Sequence, residues 1–433
     1  MPRRLFLSGV LVLCACAAPV SAQSLRDAVN RLFTFGTCGE PLCLDLKPDP
    51  TTGVSHGEHF IQSLKTSGGT VISFLTTAIG FSISNTPISS SSGGTTFQFQ
   101  GGVPVATSTS AGPILGERAQ TLGRGRWFVG LGITQVTYRR MRGVALTDIL
   151  FNFTHEDRPP VGNYGSPGFE RDFIQMDLDM RVSMLAAAVS ATYGLNDRLD
   201  VGVTVPFVRT SLSGRSAAQL FLVDDTLVLH RFGGSDTNPI LTANSSAAAV
   251  ASGFGDVEGH VKFRLKQGER LGLALVGSAR FATGNQDDLL GGGSFNGRAL
   301  GVVSARLGNF NPHGYVGYTL RGGGLQANSI EASAGFDDLL APWWTVAFDL
   351  LGSWQSGGSK IDVPPPAHYT SPFPYDLERT NIPSRRDNLV NASLGFKFRT
   401  KRGIQIVTNA LIPLSDSGLQ PSATWTGGLE YNF

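Results

Sequence analysis

Charged residues are scarce in this 433-residue chain: 16% of the residues are Asp, Glu, Lys or Arg, whereas ordinary soluble domains contain about 25%. Long apolar runs are missing as well. After residue 22 there is no apolar stretch of about 18 residues, so the sequence predicts no transmembrane helix. These two shortages exclude both a typical charged soluble protein and a helical membrane protein.

An excess of charge of one sign is also missing. Arg3 and Arg4, the apolar run 5–13 and small residues up to Ala22 form the pattern of a secretory signal peptide, which predicts cleavage after Ala22 and residues 1–22 as the leader. The remaining chain carries 35 − 2 = 33 basic and 33 acidic residues, a formal net charge of zero. This balance gives no reason to expect nucleic acid as a partner.

Cysteine is rare, with four residues in all. Cys14 and Cys16 lie in the predicted signal peptide. Cys38 and Cys43 remain in the exported chain, where an oxidising compartment and the short spacing predict a disulfide between them. A pair of free thiols is the alternative.

Alternation of apolar and polar residues is what the chain does contain. It is clearest at 172–194, 254–265 and 390–399. A period of two is typical of barrel strands that turn one face to lipid and the other to the lumen. We assign the charged set to the lumen side, namely Asp177, Asp179, Arg181, Asp256, Glu258, Lys262, Arg264, Arg280, Lys397 and Arg399. Two interpretations stay open for them: a salt-bridge network that holds a narrow barrel or its plug, and the lining of a pore.

The pattern over 126–433 predicts an all-β fold, a transmembrane antiparallel up-and-down β-barrel of twelve strands, with fourteen as the alternative. Short and long connections alternate, as periplasmic turns and outer loops do in bacterial outer-membrane barrels. The predicted strands are 126–139, 172–194, 198–210, 254–266, 270–283, 296–307, 313–321, 329–336, 343–354, 387–399, 403–414 and 421–433.

Residues 23–125 do not follow this rhythm. We interpret them as an N-terminal periplasmic or plug segment, in which Ser24 and Asp27 cap a short helix. Residues 70–107 form either a hairpin, which would raise the strand count to fourteen, or part of the plug.

The last strand ends with Tyr431 and Phe433, two residues apart. This ending resembles the C-terminal signal by which the barrel-assembly machinery recognises its clients. The expected location is therefore the bacterial outer membrane, with outer-membrane lipid and the barrel-assembly machinery as partners.

Pro206 interrupts the predicted strand 198–210. Because proline cannot donate to a β-ladder, it marks a local break, which is either a lateral opening in the wall or an ordinary bulge near the strand's outer end.

No enzyme site is predicted. The segment GVSHG at 53–57 matches the G-x-S-x-G pattern of hydrolases, but prolines precede it where that turn requires a strand. We therefore expect no catalytic residue, metal ligand or cofactor.

Four segments carry a resemblance to a known family: 111–132, 193–208, 253–265 and 279–293. They resemble the outer-membrane barrels named for a phenol meta-cleavage degradation pathway, a family similar to the fourteen-stranded, hatch-bearing transporters of fatty acids and aromatic hydrocarbons. The resemblance implies a channel for passive uptake of a hydrophobic or aromatic small molecule. A closed structural or adhesive barrel and a general water-filled porin are the alternatives.

In such a transporter, apolar residues of the outer loops would capture the ligand. The predicted loops 211–253 and 355–386 contain such residues, Phe221 and Phe373 among them. We hypothesise that these two loops form a capture site.

Overall fold

A computed structural model describes most of the predicted barrel and parts of the N-terminal segment. The described residues are 24–35, 44, 97–100, 103–106, 110–154, 172–222, 230–235, 237–268, 270–322, 327–359, 363, 365–369 and 374–433. The predicted signal peptide, the predicted disulfide between Cys38 and Cys43, and Phe373 lie outside them.

The described residues form one short helix and twenty-one strands. In chain order these are α1 (Leu25–Arg31), β1 (Phe97–Gln100), β2 (Val103–Ala106), β3 (Trp127–Met141), β4 (Val144–Ala145), β5 (Ile149–Thr154), β6 (Phe173–Asn196), β7 (Leu199–Phe221), β8 (Gly233–Ser235), β9 (Asn238–Ile240), β10 (Thr242–Phe254), β11 (Val257–Gln267), β12 (Leu271–Phe281), β13 (Asn296–Ala305), β14 (Phe310–Arg321), β15 (Ser329–Ala341), β16 (Trp344–Gln355), β17 (Ala367–Tyr369), β18 (Tyr375–Leu377), β19 (Leu389–Arg399), β20 (Gln405–Pro413) and β21 (Leu419–Asn432).

Twelve of these strands close into an antiparallel ring in the order β3, β6, β7, β11 to β16, β19, β20 and β21, and β21 pairs again with β3. At the closing seam, Trp127 and Phe433 exchange two backbone hydrogen bonds of 2.8 and 3.0 Å. The predicted all-β, twelve-stranded barrel is confirmed. Strands β1 and β2 pair with each other in a separate two-stranded sheet, so the described part of the predicted hairpin adds no strand to the ring.

The outer face of the ring carries many exposed apolar side chains. On β3 the exposed side chains include Val129, Leu131 and Ile133, and on β7 they include Val203 and Phe207. Apolar residues occupy this face because its strands alternate with a period of two, which places the polar set inside. Among the described residues, no helix is long and apolar enough to cross a membrane.

The two ends of the barrel differ. We call the end that carries Trp127, the 197–198 turn and Phe433 the turn end, and the opposite end the loop end. Aromatic side chains lie at the turn end, where the ring centroids of Trp127 and Tyr193 are 4.7 Å apart and Trp343 stacks on Phe398.

The wall is much taller on one side at the loop end. Strands β6 and β7 have 24 and 23 residues, while the other ring strands have 9 to 15. Beyond the ring, β5 pairs with β6 and β10 pairs with β7. We call these four strands the loop-end wall.

The loop-end wall corrects the prediction of a loop at 211–253. Strand β7 continues to Phe221, β8 and β9 form a small hairpin, and β10 occupies Thr242–Phe254. The sequence of β10 is rich in alanine and serine and shows no strong contrast between its two faces. It forms a strand because β7 offers it thirteen consecutive pairing partners.

Three predicted lumen residues lie on the outside instead. Asp177, Asp179 and Arg181 project from the outer face of β6, and Asp179 forms a salt bridge of 3.2 Å with the exposed Arg215 on β7. This part of β6 extends beyond the apolar outer face of the ring, and here the polar side chains point outward and the apolar ones point inward. The prediction that these three line the lumen is therefore wrong.

A buried ion pair fixes the connections at the loop end. Arg142, held at a φ of 48°, donates to Asp387 from Nε at 2.8 Å and from Nη2 at 3.0 Å, and also to the Pro383 carbonyl at 3.1 Å. Asp387 in turn accepts a hydrogen bond from the Gly418 backbone N–H. The Arg142–Asp387 pair thus joins three connections that are far apart in sequence.

We expect Arg142→Ala to destabilise the barrel by about 3–5 kcal/mol, because it leaves the buried carboxylate of Asp387 without its cation. The measurement is the urea midpoint of Trp fluorescence in detergent micelles. The control is Arg140→Ala, since the Arg140–Asp416 pair is exposed and 3.9 Å apart. Equal midpoints for both variants would contradict the role of the Arg142 pair.

Candidate functional site

The N-terminal segment contacts the inner face of the barrel at two places. Residues 110–126, which we call the plug, lie inside the turn end, and α1 lies inside the loop-end wall. The two places have opposite chemistry, because the plug is held by polar and charged groups and α1 by apolar ones.

One half of the plug is bound to β15 and β16. Ser110 Oγ donates a hydrogen bond to Asp337, and the Gly116 backbone N–H donates to Asp349 Oδ2 at 3.1 Å. His313 on β14 lies between the two carboxylates, with Nε2 2.8 Å from Asp349 Oδ1 and Nδ1 3.4 Å from Asp337 Oδ1. A Cβ atom at position 116 would collide with Asp349 and His313, so this close approach requires glycine.

The next two plug residues are charged and buried. Glu117 forms a salt bridge of 2.9 Å with Lys262 on β11, and their side chains are 8% and 1% exposed. Burial lowers the pKa of Arg118, although Asp337, Glu430 and Glu117 oppose that shift. An arginine remains cationic even so, so the plug brings one charge of each sign into the lumen.

The other half of the plug is bound to the opposite side of the barrel. The Ala119 backbone N–H donates to Ser304 Oγ at 3.1 Å, and the Leu122 backbone N–H donates to Asp200 Oδ2 at 2.9 Å. Because Ser304 is on β13 and Asp200 on β7, whereas Asp349 is on β16, the plug crosses the lumen from wall to wall.

Six of the predicted lumen charges lie on the inner face. Glu258 and Arg280 pair at 2.7 Å, and Lys397 pairs with Glu430 at 2.9 Å and also donates to the Ala111 carbonyl. The other inner-face charges from the prediction are Lys262, Arg264 and Arg399. Several of these charges therefore form a network that holds the wall and the plug.

Two residues at the first half of the plug, Asp337 and His313, were not among the lumen residues predicted from the sequence. Asp337 lies one residue beyond the predicted strand 329–336, and His313 begins the predicted strand 313–321. The signal for Asp337 was available, because Glu331, Ser333 and Gly335 continue to it with a period of two.

Asp256 has a different role from the one predicted. Its carboxylate accepts hydrogen bonds from the Gly284 backbone N–H at 3.0 Å and the Gly292 backbone N–H at 2.7 Å. It thereby holds the loop 282–295, whose Leu289 carbonyl accepts a hydrogen bond from Thr210 on β7.

Pro206 lies on β7 at the point where the pairing partner of β7 changes from β11 to β10. Its pairing with Ala188 on β6 is continuous. On the opposite edge its carbonyl accepts from the Gly255 backbone N–H at 2.9 Å, at the two-residue gap between β10 and β11. A strand residue directs its N–H and C=O to the same edge, so the missing donor faces this gap.

The inner face of the loop-end wall forms an apolar cup. Apart from Met1, the methionines of the chain are Met141, Met176, Met180 and Met184, and all four are buried in this one cluster. Methionine has an unbranched, adaptable side chain that fills irregular apolar spaces. The cup is therefore lined by the most adaptable apolar side chains that the protein has.

Helix α1 occupies the cup. Ser24 caps it by accepting the Asp27 backbone N–H at 3.1 Å, as predicted. Leu25, Val29 and Leu32 on one helix face are fully buried against the wall. Apolar burial thus accounts for most of the contact between α1 and the barrel.

Within the described residues, no group of His, Cys, Asp or Glu is arranged to hold a metal ion. The His313 imidazole instead pairs with Asp349, whose carboxylate also accepts a hydrogen bond from the plug backbone at Gly116.

No protein-family model and no curated protein matches the chain. Solved structures to which it is similar include an outer-membrane channel of Pseudomonas putida F1, at 13% identity and a TM-score of 0.43, covering 73% of this chain and 98% of that one. A Pseudomonas aeruginosa homologue of FadL gives 11% identity, a TM-score of 0.30 and coverages of 71% and 88%. The Pseudomonas putida toluene transporter TodX gives 10%, 0.24, and 71% and 87%. Any functional conclusion therefore rests on the geometry of this chain.

We expect Lys262→Ala to loosen the plug, because it removes the cation that lies 2.9 Å from the buried Glu117 carboxylate. Breaking a buried ion pair in this way costs about 3–5 kcal/mol. Amide hydrogen exchange over 110–126 should become faster by at least about tenfold. Lys266→Ala is the matched control, since Lys266 is on the same strand but exposed. Unchanged exchange in Lys262→Ala would show that the plug does not depend on this pair.

Proposed function

We propose that the chain is an exported bacterial outer-membrane channel for passive uptake of a hydrophobic or aromatic small molecule. The observation that carries this proposal is the division of the barrel interior. An apolar, methionine-lined cup lies at the loop end, and a polar plug lies at the turn end.

The membrane location is supported by the outer face of the ring. Its exposed side chains are apolar on strand after strand, including Leu273 on β12, Val316 on β14 and Leu394 on β19. An apolar surface that surrounds a whole molecule is costly to expose to water, but it is stable in contact with hydrocarbon. A closed ring also leaves no unpaired strand edge in the lipid.

The class of substrate is supported by the polarity of the cup. The polar outer leaflet of the bacterial outer membrane stops apolar solutes. An apolar cup at the loop end offers such solutes a place to leave water. A water-filled porin needs a polar path along its whole length. Here the loop-end interior contains residues such as Met180, Leu212 and Phe151.

The release route belongs to the same proposal. The plug crosses the direct way to the turn end. The seam at Pro206 and Gly255 lies beside the cup and lacks one ladder hydrogen bond. The loop 282–295, held by Asp256, covers this seam. We place the lateral opening there, between β7, β10 and β11.

The test is uptake of N-phenyl-1-naphthylamine by intact cells that carry the barrel, with liposome swelling in arabinose as the assay for a porin. We expect faster uptake of the apolar dye than in cells without the barrel and no swelling above empty liposomes. Met180→Asp should abolish the gain because it puts a charge in the cup.

Ser213→Asp is the control, since Ser213 lies on the exposed outer face of β7. Both variants are compared at equal amounts of folded barrel on heat-modifiability gels. Swelling in arabinose would favour a porin, and the absence of both activities would favour a structural or adhesive barrel.

A further inference from the structure

The cup and α1 fit each other as a binding surface fits a ligand. Leu32 of α1 approaches β7 so closely that a Cβ atom at Gly214 would lie 2.9 Å from Leu32 Cδ1. Phe33 packs against Phe151 of β5, with 5.8 Å between the ring centroids. The helix therefore fills an apolar space that the wall has shaped with a glycine and with adaptable methionines.

Few polar contacts hold α1 in place. The Arg26 backbone N–H donates to the Asp287 carbonyl at 2.9 Å, and the side chains of these two exposed residues form a salt bridge of 3.0 Å. Ser216 and Ser245 donate to the Leu32 and Arg31 carbonyls at the end of the helix. An exposed ion pair contributes about 0–1 kcal/mol, so apolar contact holds the helix.

A seven-residue helix has little stability of its own in water. Its position in the cup depends on the burial of Leu25, Val29 and Leu32. Another apolar molecule of similar size can cover the same surface of the wall. The methionine side chains can repack around a different shape. The contact is thus both replaceable and adaptable.

From these contacts we propose that α1 is a resident occupant of the ligand site, and that a neutral apolar molecule binds the loop-end cup by displacing it. The proposal rests on the proposed function, since it names the site and the control of uptake. Ligand and helix compete for one surface, so the seating strength of α1 sets the apparent affinity.

A crosslink between α1 and the loop 282–295 tests this competition. Arg26 and Asp287 are joined by a backbone hydrogen bond, which places them close enough for a disulfide in the Arg26→Cys, Asp287→Cys variant. Cys38 and Cys43 are changed to Ser in all samples. Binding of radiolabelled naphthalene to amphipol-trapped barrel is measured by equilibrium dialysis before and after reduction of the same sample, so that uptake by the amphipol cancels.

We expect the oxidised barrel to bind naphthalene at least about tenfold more weakly than the reduced one, because the crosslink lowers the fraction of barrels in which α1 has left the cup. Leu32→Ser should act in the opposite sense and strengthen binding by about tenfold, by releasing α1 without altering the wall. Arg31→Gln is the matched control, because Arg31 is on the same helix and exposed. A spin label at Asp27→Cys should become mobile as naphthalene is added.

Equal binding by the oxidised and reduced barrels, or an immobile label at saturation, would overturn the proposal. Dye uptake by the oxidised variant in cells then distinguishes failure of the α1-displacement proposal from failure of the proposed channel function. Uptake that persists with α1 locked refutes the displacement of α1 and leaves the channel function standing. Loss of uptake and of naphthalene binding in the unlocked barrel refutes the channel function itself.

Discussion

Pairing of the last strand with the first is the interaction on which the rest of the structure depends. The two hydrogen bonds between Trp127 and Phe433 lie at the turn-end limit of the β3–β21 ladder, which turns a sheet with two edges into a ring with none. A β-sheet can face lipid with all its backbone groups satisfied only when it closes into a ring. Closure also creates the interior in which the plug and α1 are held.

The second constraint on the interior is that the polar and apolar faces of β6 and β7 exchange sides along the length of these strands. Near the turn end, their outer residues, such as Val189 and Val203, are apolar and their inner ones polar. Farther out, Asp179 and Arg215 face outward, and Met180 and Leu212 face inward. The strand period never changes, so the reversal follows from what lies on each side of the wall. The inner face is therefore polar at the turn end, where charged and polar groups hold the plug. It is apolar at the loop end, where apolar burial holds α1.

Much of the fold could be predicted because alternation and connection length are local properties: all twelve ring strands were predicted within a few residues, except for the long extension of β7. A period of two identifies which residues share a face but not which face is inward, so Asp177 was placed in the lumen. Contacts between distant positions, such as Gly116 with Asp349 or Arg142 with Asp387, leave no local pattern. The helix at Ser24 was predictable from its cap, but its seat in the cup was not.

The position of the N-terminal segment has a consequence for biogenesis. Residues 24–35 lie within the wall at one end of the barrel, and residues 110–126 lie within it at the other. If the ring sealed first, this segment would have to be threaded through a finished cylinder. If the segment docks on the open sheet, the wall wraps around it and no threading is needed. The β3–β21 seam is then the last to zip, and the segment acts as a template for the curvature of the sheet.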